Sequence, residues 1–512
     1  LRRRSGTALV GMLGWSVFAL TAIGCAVAKD LTLLLVLRAV QATGAAAGLV
    51  TAFAVLREPG EGGRGPGRLW TAASVFGTAA GPALGGVLTE ALDWRAIFFV
   101  QVPFGVVAVI EARAAGEPAP AREPVAAAEP RAAGALAAPA VAIALLSAAL
   151  TGVLFLLVLM LVSGWSLSPA VAALAVSILP IAAIGGARLR GEPRAMAAAG
   201  CALVGAGVLA LAWVPTASVA WTVPSQVLAG LGMGMAFNAL AGPLLPERTP
   251  GQAAALLSVR HAGITLALLL LAPITAAKLD DTVSNARERT AAVILDARLP
   301  PLDKLALVGP ISSNLDPVDP RAQLTGSLDK QRGRYADDPV KSAEYDDLVD
   351  HVDGTIIHAV GDAFRIAFVV AGALALLGAL VLLPGASTRA WRAAALAAVA
   401  LALPVTFALI QPGLAPAQGQ VRDPCKPRQL PHTGGITGMV QDVGLVALDR
   451  AACKYGSSRE ELAIALADPG SAKRFEQRHG VNPRSASGLL QTIMGNNPGS
   501  SALDLLRSAL GG

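Results

Sequence analysis

One charged side chain, Arg38, lies inside an otherwise apolar stretch of the sequence. Gln41 follows it by three residues, a spacing that places both side chains on one face of a helix. A charge at membrane depth is costly and usually belongs to a functional or paired residue. The alternative is that the Arg38 guanidinium extends to the membrane interface while its stem stays in the apolar layer.

Residues of the types that catalyse reactions or bind metals form no recognisable set. The five histidines are dispersed, and none has the spacing of a metal ligand. Residues 347–353 combine aspartates with His351, and a solvated helix face explains them better than a metal site. The glycine-rich pattern that binds nucleotide phosphates is also missing. We therefore expect no enzyme, no metal, no cofactor and no ATP-driven transport by this chain.

The composition indicates an integral membrane protein. Of the 512 residues, 54% are hydrophobic and only 15% are charged, whereas a soluble domain has roughly 25% charged residues. The net charge of +6 comes largely from arginines between apolar stretches. Aromatic residues make up 4% of the chain and do not alternate with basic ones, so nucleic acid is not an expected partner.

Apolar stretches of about 20 residues predict about eleven membrane-spanning helices, in the plasma (inner) membrane. Their approximate ranges are 7–27, 32–55, 69–90, 96–112, 137–163, 169–188, 196–213, 219–241, 255–277, 363–384 and 390–411. Arginines concentrate in alternate connections, for example at 2–4, 57–68 and 188–194. Since such clusters stay in the cytoplasm, the first residues are predicted inside and the C-terminus outside.

Three segments are too polar to span a membrane. Residues 113–136 predict a flexible cytoplasmic linker. Residues 278–362 predict an extracytoplasmic insertion with helices near 282–298 and 341–360. Residues 415–512 predict a small helical extracytoplasmic domain, with helices near 437–455, 457–467, 471–479 and 484–495. If that domain is outside the cytoplasm, Cys425 and Cys453 are candidates for a disulfide.

The clearest motif in the chain is Gly77-Thr78-Ala79-Ala80-Gly81-Pro82-Ala83-Leu84-Gly85-Gly86. Gly77, Gly81, Gly85 and Gly86 predict a smooth helix face for a neighbouring helix, and Pro82 allows a bend. A generic packing helix would have similar residues. The ordered match nonetheless resembles the antiporter motif in the fifth helix of major facilitator exporters.

Two further stretches resemble the drug:proton antiporter branch of that superfamily. Arg38, Gln41, Gly44, Ala45 and Ala46 are similar to its fourth-helix motif, with Ala42 where glycine is usual. Residues 94–105, which read WRAIFFVQVPFG, are similar to the beginning of its sixth helix, with Gln101 in place of asparagine. The resemblance links Arg38, together with Gln41, to proton transfer.

The resemblance implies an all-α, two-bundle transporter fold lacking its first two helices, which would hold the usual coupling acid. Residues 1–112 would form the remainder of the N-terminal bundle, and 137–277 with 363–411 the C-terminal bundle and one additional helix. A substrate path is expected between the bundles, with Gln101, Gln226 and Asn238 as polar candidates; interhelical hydrogen bonds would also explain Gln226 and Asn238. The expected partners are protons, the lipid bilayer and small lipophilic substrates.

Two readings of function remain open at this point. The first is proton-coupled efflux of lipophilic or amphiphilic compounds by alternating access. The second is a transporter-like membrane scaffold whose extracytoplasmic domains bind an envelope partner. The length of the insertion and of the C-terminal domain motivates the second reading.

Overall fold

The computed structural model describes residues 6–55, 77, 81–114, 133–244, 250–300, 304, 307, 320–383, 390–431 and 435–485. Helices account for the regular secondary structure of these residues, and no strand occurs among them. The predicted all-α class is therefore confirmed. Most of the predicted 113–136 linker and half of the predicted 69–90 span lie outside the described residues.

The N-terminal bundle contains α1 (Gly6–Val27), α2 (Leu31–Val55), α3 (81–91) and α4 (Ala96–Ala114). The Asp30 carboxylate accepts the Leu33 N–H at 2.8 Å and so caps the first turn of α2. α1 packs between α2 and α4. A Cβ atom at Gly14 would lie 2.9 Å from the Gly44 carbonyl oxygen, so the α1 and α2 backbones touch where both lack side chains.

The C-terminal bundle surrounds α8. Its helices are α5 (Ala133–Leu159), α6 (Pro169–Val176), α7 (Ile178–Gly186), α8 (Pro193–Ala210), α9 (Val219–Leu244), α10 (Pro250–Asp296), α12 (Pro339–Leu382) and α13 (Ala390–Leu414), with a short α11 (Pro320–Arg332) before α12. α8 contacts α9, α12 and α13. Thirteen of its 18 residues are buried, because small side chains let three helices approach it at once.

Nine helices of the described residues are long and apolar enough to span a membrane. They correspond to nine of the predicted spans. The predicted 219–241 span is α9, a helix of 26 residues that contains the buried polar residues Thr222, Ser225 and Gln226. The predicted 169–188 span divides at Ser177 into α6 and α7, where Pro180 removes a backbone donor.

α10 continues past the predicted boundary near 278, and α12 begins well before the predicted boundary near 362. α10 has 47 residues and α12 has 44, each about 65–70 Å long at 1.5 Å per residue, against about 30 Å of hydrocarbon. Hydropathy falls beyond Lys278, but Ile294 still packs in one core cluster with Val352 and Ile356. The helix continues because its buried face continues. We call the side where α10 ends and α12 begins the insertion side.

The C-terminal helices α14 (Gly435–Tyr455), α15 (Arg459–Ala467) and α16 (Pro469–His479) form a small cluster, which confirms three of the four helices predicted in this region; most of 484–495 lies outside the described residues. Their shared core includes Ala452, Leu462 and Phe475. Residues 415–431 reach the cluster as a segment without helix. This segment binds both extensions, since Arg289 of α10 donates to Gln418 (2.6 Å) and Thr355 of α12 accepts the Gly419 N–H (3.0 Å).

A test of this packing is the crossing of α8 and α9, where a Cβ atom at Gly200 would lie 2.6 Å from the Gly232 carbonyl oxygen. Gly200→Ala forces the two backbones apart, and we expect a loss of about 1–3 kcal/mol in stability. The measurement is the thermal unfolding midpoint of the detergent-solubilised chain. Gly361→Ala in α12 is the control, because a Cβ there would meet no atom within 4 Å. Equal midpoints for the two variants would contradict the close crossing.

Candidate functional site

Three of the predicted site residues form one hydrogen-bonded chain between α2 and α4. Arg38 Nη1 donates to Gln41 Oε1 at 2.7 Å, and Gln41 Nε2 donates to Gln101 Oε1 at 3.0 Å. The Arg38 guanidinium also lies 5.6 Å from the centre of the Phe98 ring, within the range of a cation–π contact. α2 supplies the first two residues one turn apart, and α4 supplies Gln101 and Phe98 on its facing side.

The environment changes along this chain of side chains. Gln41 is 1% exposed, whereas Arg38 is exposed on the surface of the helices. The Arg38 guanidinium holds the buried Gln41 amide by a charge-assisted hydrogen bond, which is stronger than one between neutral groups. The Gln41 amide thereby has both ends engaged, which orients the Gln101 amide in turn. The Arg38 guanidinium has further N–H groups that could donate hydrogen bonds to an anionic group.

The other two predicted path residues lie apart from this chain, on α9. Gln226 is buried and donates to Thr222 Oγ1 at 2.9 Å, and its Oε1 has no hydrogen-bond partner among the described residues. Asn238 is exposed and donates to the Ala187 carbonyl at the end of α7 at 3.1 Å. The Asn238 contact is an interhelical hydrogen bond, as the alternative interpretation anticipated.

The glycine motif is described in part, at residue 77 and from residue 81 onward. A Cβ atom at Gly77 or Gly81 would have no described atom within 4 Å, and one at Gly85 would lie 3.8 Å from Ile97 Cδ1. A Cβ atom at Gly86 would instead overlap the Pro169 carbonyl oxygen and the Ala173 Cβ. Of these four glycines, Gly86 is therefore the one that brings α3 directly against another helix, α6 of the C-terminal bundle.

A carboxylate that the sequence gave no role lies beside this contact. The Ala170 N–H donates to Glu90 Oε2 at 2.8 Å, at the first turn of α6. The N–H of Val171 donates to the Ser168 hydroxyl oxygen, and Glu90 also hydrogen-bonds with Ser168. The sequence placed Glu90 at a helix end, but nothing in its spacing indicated a partner 80 residues away.

A second group of charges, missed by sequence reasoning, joins the C-terminal helices to the end of α10. Arg459, which is fully buried, bonds Asp296 at 2.6 Å and Glu460 at 3.0 Å. Arg428 bonds Asp449 at 3.1 Å and Glu460 at 3.3 Å. Apart from Arg459 and Glu460, which are neighbours, the paired residues are far apart in sequence, so no local pattern indicates the group. The Ser458 hydroxyl that caps α15 at Glu461 is the one local signal of where Arg459 begins a helix.

The disulfide between Cys425 and Cys453 lies next to this charge cluster. It joins the segment that carries Arg428 to α14, which carries Asp449, and closes a loop with a sequence separation of 28 residues. A covalent loop of this kind reduces the freedom of the unfolded chain. The two remaining cysteines, Cys25 and Cys201, are buried and free.

Burial shifts the protonation of two groups in the cluster. Burial raises the pKa of Asp449 to about 6, although the Arg459 and Arg428 cations oppose the shift. Burial likewise lowers the pKa of Lys304 to about 8, with the Arg459 charge adding to the effect. The Lys304 ammonium donates to the Leu295 carbonyl at 2.8 Å. Groups of three or more side chains that could hold a metal ion do not occur among the described residues.

Comparison with known proteins gives a family match over more than half of the chain: residues 1–272 of 512 match the Major Facilitator Superfamily. The chain is 39% identical over 100 residues to the multidrug resistance protein Stp of Mycobacterium tuberculosis, covering 19% of this chain and 18% of that protein. It is 33% identical over 99 residues to the drug efflux pump JefA of the same species, covering 19% and 20%.

A relative from another genus gives a match of similar extent. The chain is 32% identical over 115 residues to the methylenomycin A resistance protein of Bacillus subtilis, covering 22% of this chain and 25% of that protein. The aligned segments therefore span a quarter or less of the length of each of these three relatives.

The pKa of Asp449 gives a pH prediction. Between the ordinary aspartate pKa of about 4 and about 6, the folded carboxyl holds a proton that the unfolded chain has released. Its contribution to the free energy of unfolding therefore rises as the pH falls through 6, by about 1 kcal/mol between pH 7 and pH 5. Asp449→Asn removes this part of the pH dependence.

Hydrogen exchange of the α14 and α15 amides in the full chain, corrected for the intrinsic effect of pH, measures this difference. Asp423→Asn is the matched control, because Asp423 is about half exposed and pairs with Lys426 at 3.8 Å on the surface. Parallel pH curves for the parent chain and Asp449→Asn would show that Asp449 does not titrate in this range.

Proposed function

Because this chain belongs to the major facilitator superfamily, a family of transporters rather than enzymes, we propose that it exports lipophilic or amphiphilic compounds in exchange for protons. The export would proceed by alternating access, in which two bundles rock about a central path. The drug-related functions in the names of its relatives Stp and JefA support this substrate class.

The arrangement of the helices supports a rocking movement. Within the described residues, the N-terminal bundle meets the C-terminal one where α2 contacts α10 and where α3 contacts α6. The contacts inside each bundle are far more extensive, with glycines set against backbone at the crossings of α1 with α2 and of α8 with α9. Two bodies with tight interiors and limited mutual contact can move relative to each other as units.

The observation that carries proton coupling is the Arg38–Gln41–Gln101 chain. In this proposal Arg38 acts through its positive charge, and another group transfers the proton. The Arg38 charge lowers the pKa of a carboxyl group that comes within a few ångströms. When that carboxyl group moves away, its pKa returns to the ordinary value. Gln41 and Gln101 hold the cation in place between α2 and α4. The acid that would titrate is not assigned.

For the substrate path, Gln226 is the better of the two α9 candidates. Its Oε1 is buried and has no described partner, and an unpaired buried acceptor is costly unless something pairs with it. A substrate donor would satisfy it. Asn238 already has a partner in the Ala187 carbonyl.

The distribution of arginines supports a cytoplasmic location for the first residues and an extracytoplasmic one for the insertion side and the C-terminus. A disulfide between Cys425 and Cys453 suits an oxidising compartment. The alternative function, a scaffold that binds an envelope partner, is favoured by one feature. The C-terminal helices have their own core, an internal disulfide and a buried charge cluster.

Transport by the full chain in everted membrane vesicles tests the proposal. The vesicles are energised, and a fluorescent probe follows the internal pH while lipophilic cations and neutral drugs are added. We expect substrate-dependent proton release. Arg38→Ala removes one hydrogen bond of the polar chain, and Gln41→Leu removes both. At about 1.5–3 kcal/mol for the bond to the charged group, we expect a loss in rate of tenfold or more in either variant.

Arg95→Gln is the control for charge in the same bundle, since Arg95 pairs with Asp93 at 3.4 Å and stacks on Trp94. Full rates in Arg38→Ala would remove Arg38 from the coupling mechanism. Absence of any response from well-folded protein across the panel would favour the scaffold function instead.

A further inference from the structure

The contact between α3 and α6 has a second component besides glycine packing. We propose that the Glu90 carboxylate is a gate residue, which holds the insertion-side ends of the two bundles together until the transporter opens on that side. The inference rests on the proposed function, since a gate requires bundles that part.

The backbone N–H groups in the first turn of α6 all have acceptors. Pro169 has no N–H, the Val171 N–H donates to Ser168, and the Ala172 N–H donates to the Ser168 carbonyl at 3.0 Å. The Ala170 N–H is the remaining donor, and its acceptor is Glu90 at 2.8 Å. Glu90 is thus an anionic cap supplied to α6 by a helix of the other bundle. The positive end of the α6 dipole favours a carboxylate at this position.

Gly86 brings α3 and α6 close enough for the bond between Glu90 and the Ala170 N–H. Gly86 precedes Glu90 by one helical turn, so both lie on the same face of α3. At Gly86 the α3 backbone lies against the Pro169 carbonyl oxygen and Ala173. Residues 86 and 90 together therefore meet the first turn of α6, one by the lack of a side chain and the other by a hydrogen bond.

The bond between Glu90 and Ala170 can break and form again at little cost in free energy. Glu90 is exposed, so water can replace the Ala170 N–H when the helices separate, and no buried charge is left behind. The nearby charged residues Asp93 and Arg95 pair with each other at 3.4 Å. Because Arg95 is paired with Asp93, it does not compete with the N-terminus of α6 for the Glu90 carboxylate. A bond of this kind adjusts the ratio of closed to open forms without locking the protein in one of them.

The movement can be measured without any substrate, by electron–electron resonance distances between spin labels on Leu92→Cys and Val340→Cys. Leu92 lies two residues after Glu90 and Val340 lies in the first turn of α12, and both are more than two thirds exposed. The native free cysteines are buried and are replaced by serine in every sample. The pair reports how far apart the two bundles are on the insertion side.

In the parent chain we expect two distances, with the shorter one dominant. Glu90→Ala should raise the ratio of the longer to the shorter population by about three- to tenfold, the equivalent of losing one charge-assisted bond at a helix N-terminus. Glu90→Gln keeps an acceptor without the charge and should give a smaller rise. Glu111→Gln is the matched control, with the same loss of an exposed carboxylate near the last turn of α4, at the opposite end of the bundle, and should leave the ratio unchanged.

The outcomes separate the gate from the proposed function. Two distances in the parent with no change in Glu90→Ala would overturn the gate, although the bundles still part. A single distance in the parent and in every variant would overturn both the gate and the rocking movement. A shift in Glu90→Ala together with a lack of proton release would retain the gate and contradict proton-coupled export.

Discussion

The whole helical assembly depends on direct contact between backbones of neighbouring helices. In an apolar solvent no hydrophobic force drives helices together, so association relies on close packing. Glycines supply it at many crossings, of which three are Gly14 with Gly44, Gly200 with Gly232, and Gly86 with Pro169. The first two crossings each lie within a bundle, and the third lies between the bundles. A residue type that looks like composition bias in the sequence is thus a specific requirement at these crossings.

Polar groups follow the same constraint in a different form. Within the spans, Arg38 and Gln41 form part of a short chain of hydrogen bonds, because a polar group without a partner is costly in a medium of low dielectric constant. In the C-terminal cluster, Arg459 and Glu460 are fully buried and bond each other and further charges. Removing one member of such a cluster leaves the others unpaired, so we expect the cluster to act as a unit.

Two continuous helices join the bundle core to the C-terminal helices. α10 and α12 run without a break from the bundle core to the residues that hydrogen-bond with Gln418 and Gly419. The Arg459–Asp296 ion pair adds a third attachment at the end of α10. A helix transmits displacement along its axis, so movement of α10 or α12 in the membrane would also move the C-terminal helices. Three attachments thus tie the C-terminal helices to α10 and α12, whereas the contact between the two bundles is more limited within the described residues.

The membrane class, the all-α fold, nine of the spans and the family resemblance could be predicted from the sequence, because these depend on local hydropathy and contiguous motifs. The sequence indicated Arg38 and Gln41 as candidates for proton coupling and Gln101 separately as a candidate for the substrate path, and it is the folded structure that brings Gln101 within 3.0 Å of Gln41. The continuity of α10 and α12 escaped the hydropathy pattern, since their buried face persists where overall polarity rises. The Glu90–Ala170 bond and the Arg459 cluster join residues 80 and 163 positions apart. Such pairs have no signature in a single sequence, because it is the folded packing of distant helices that brings them together.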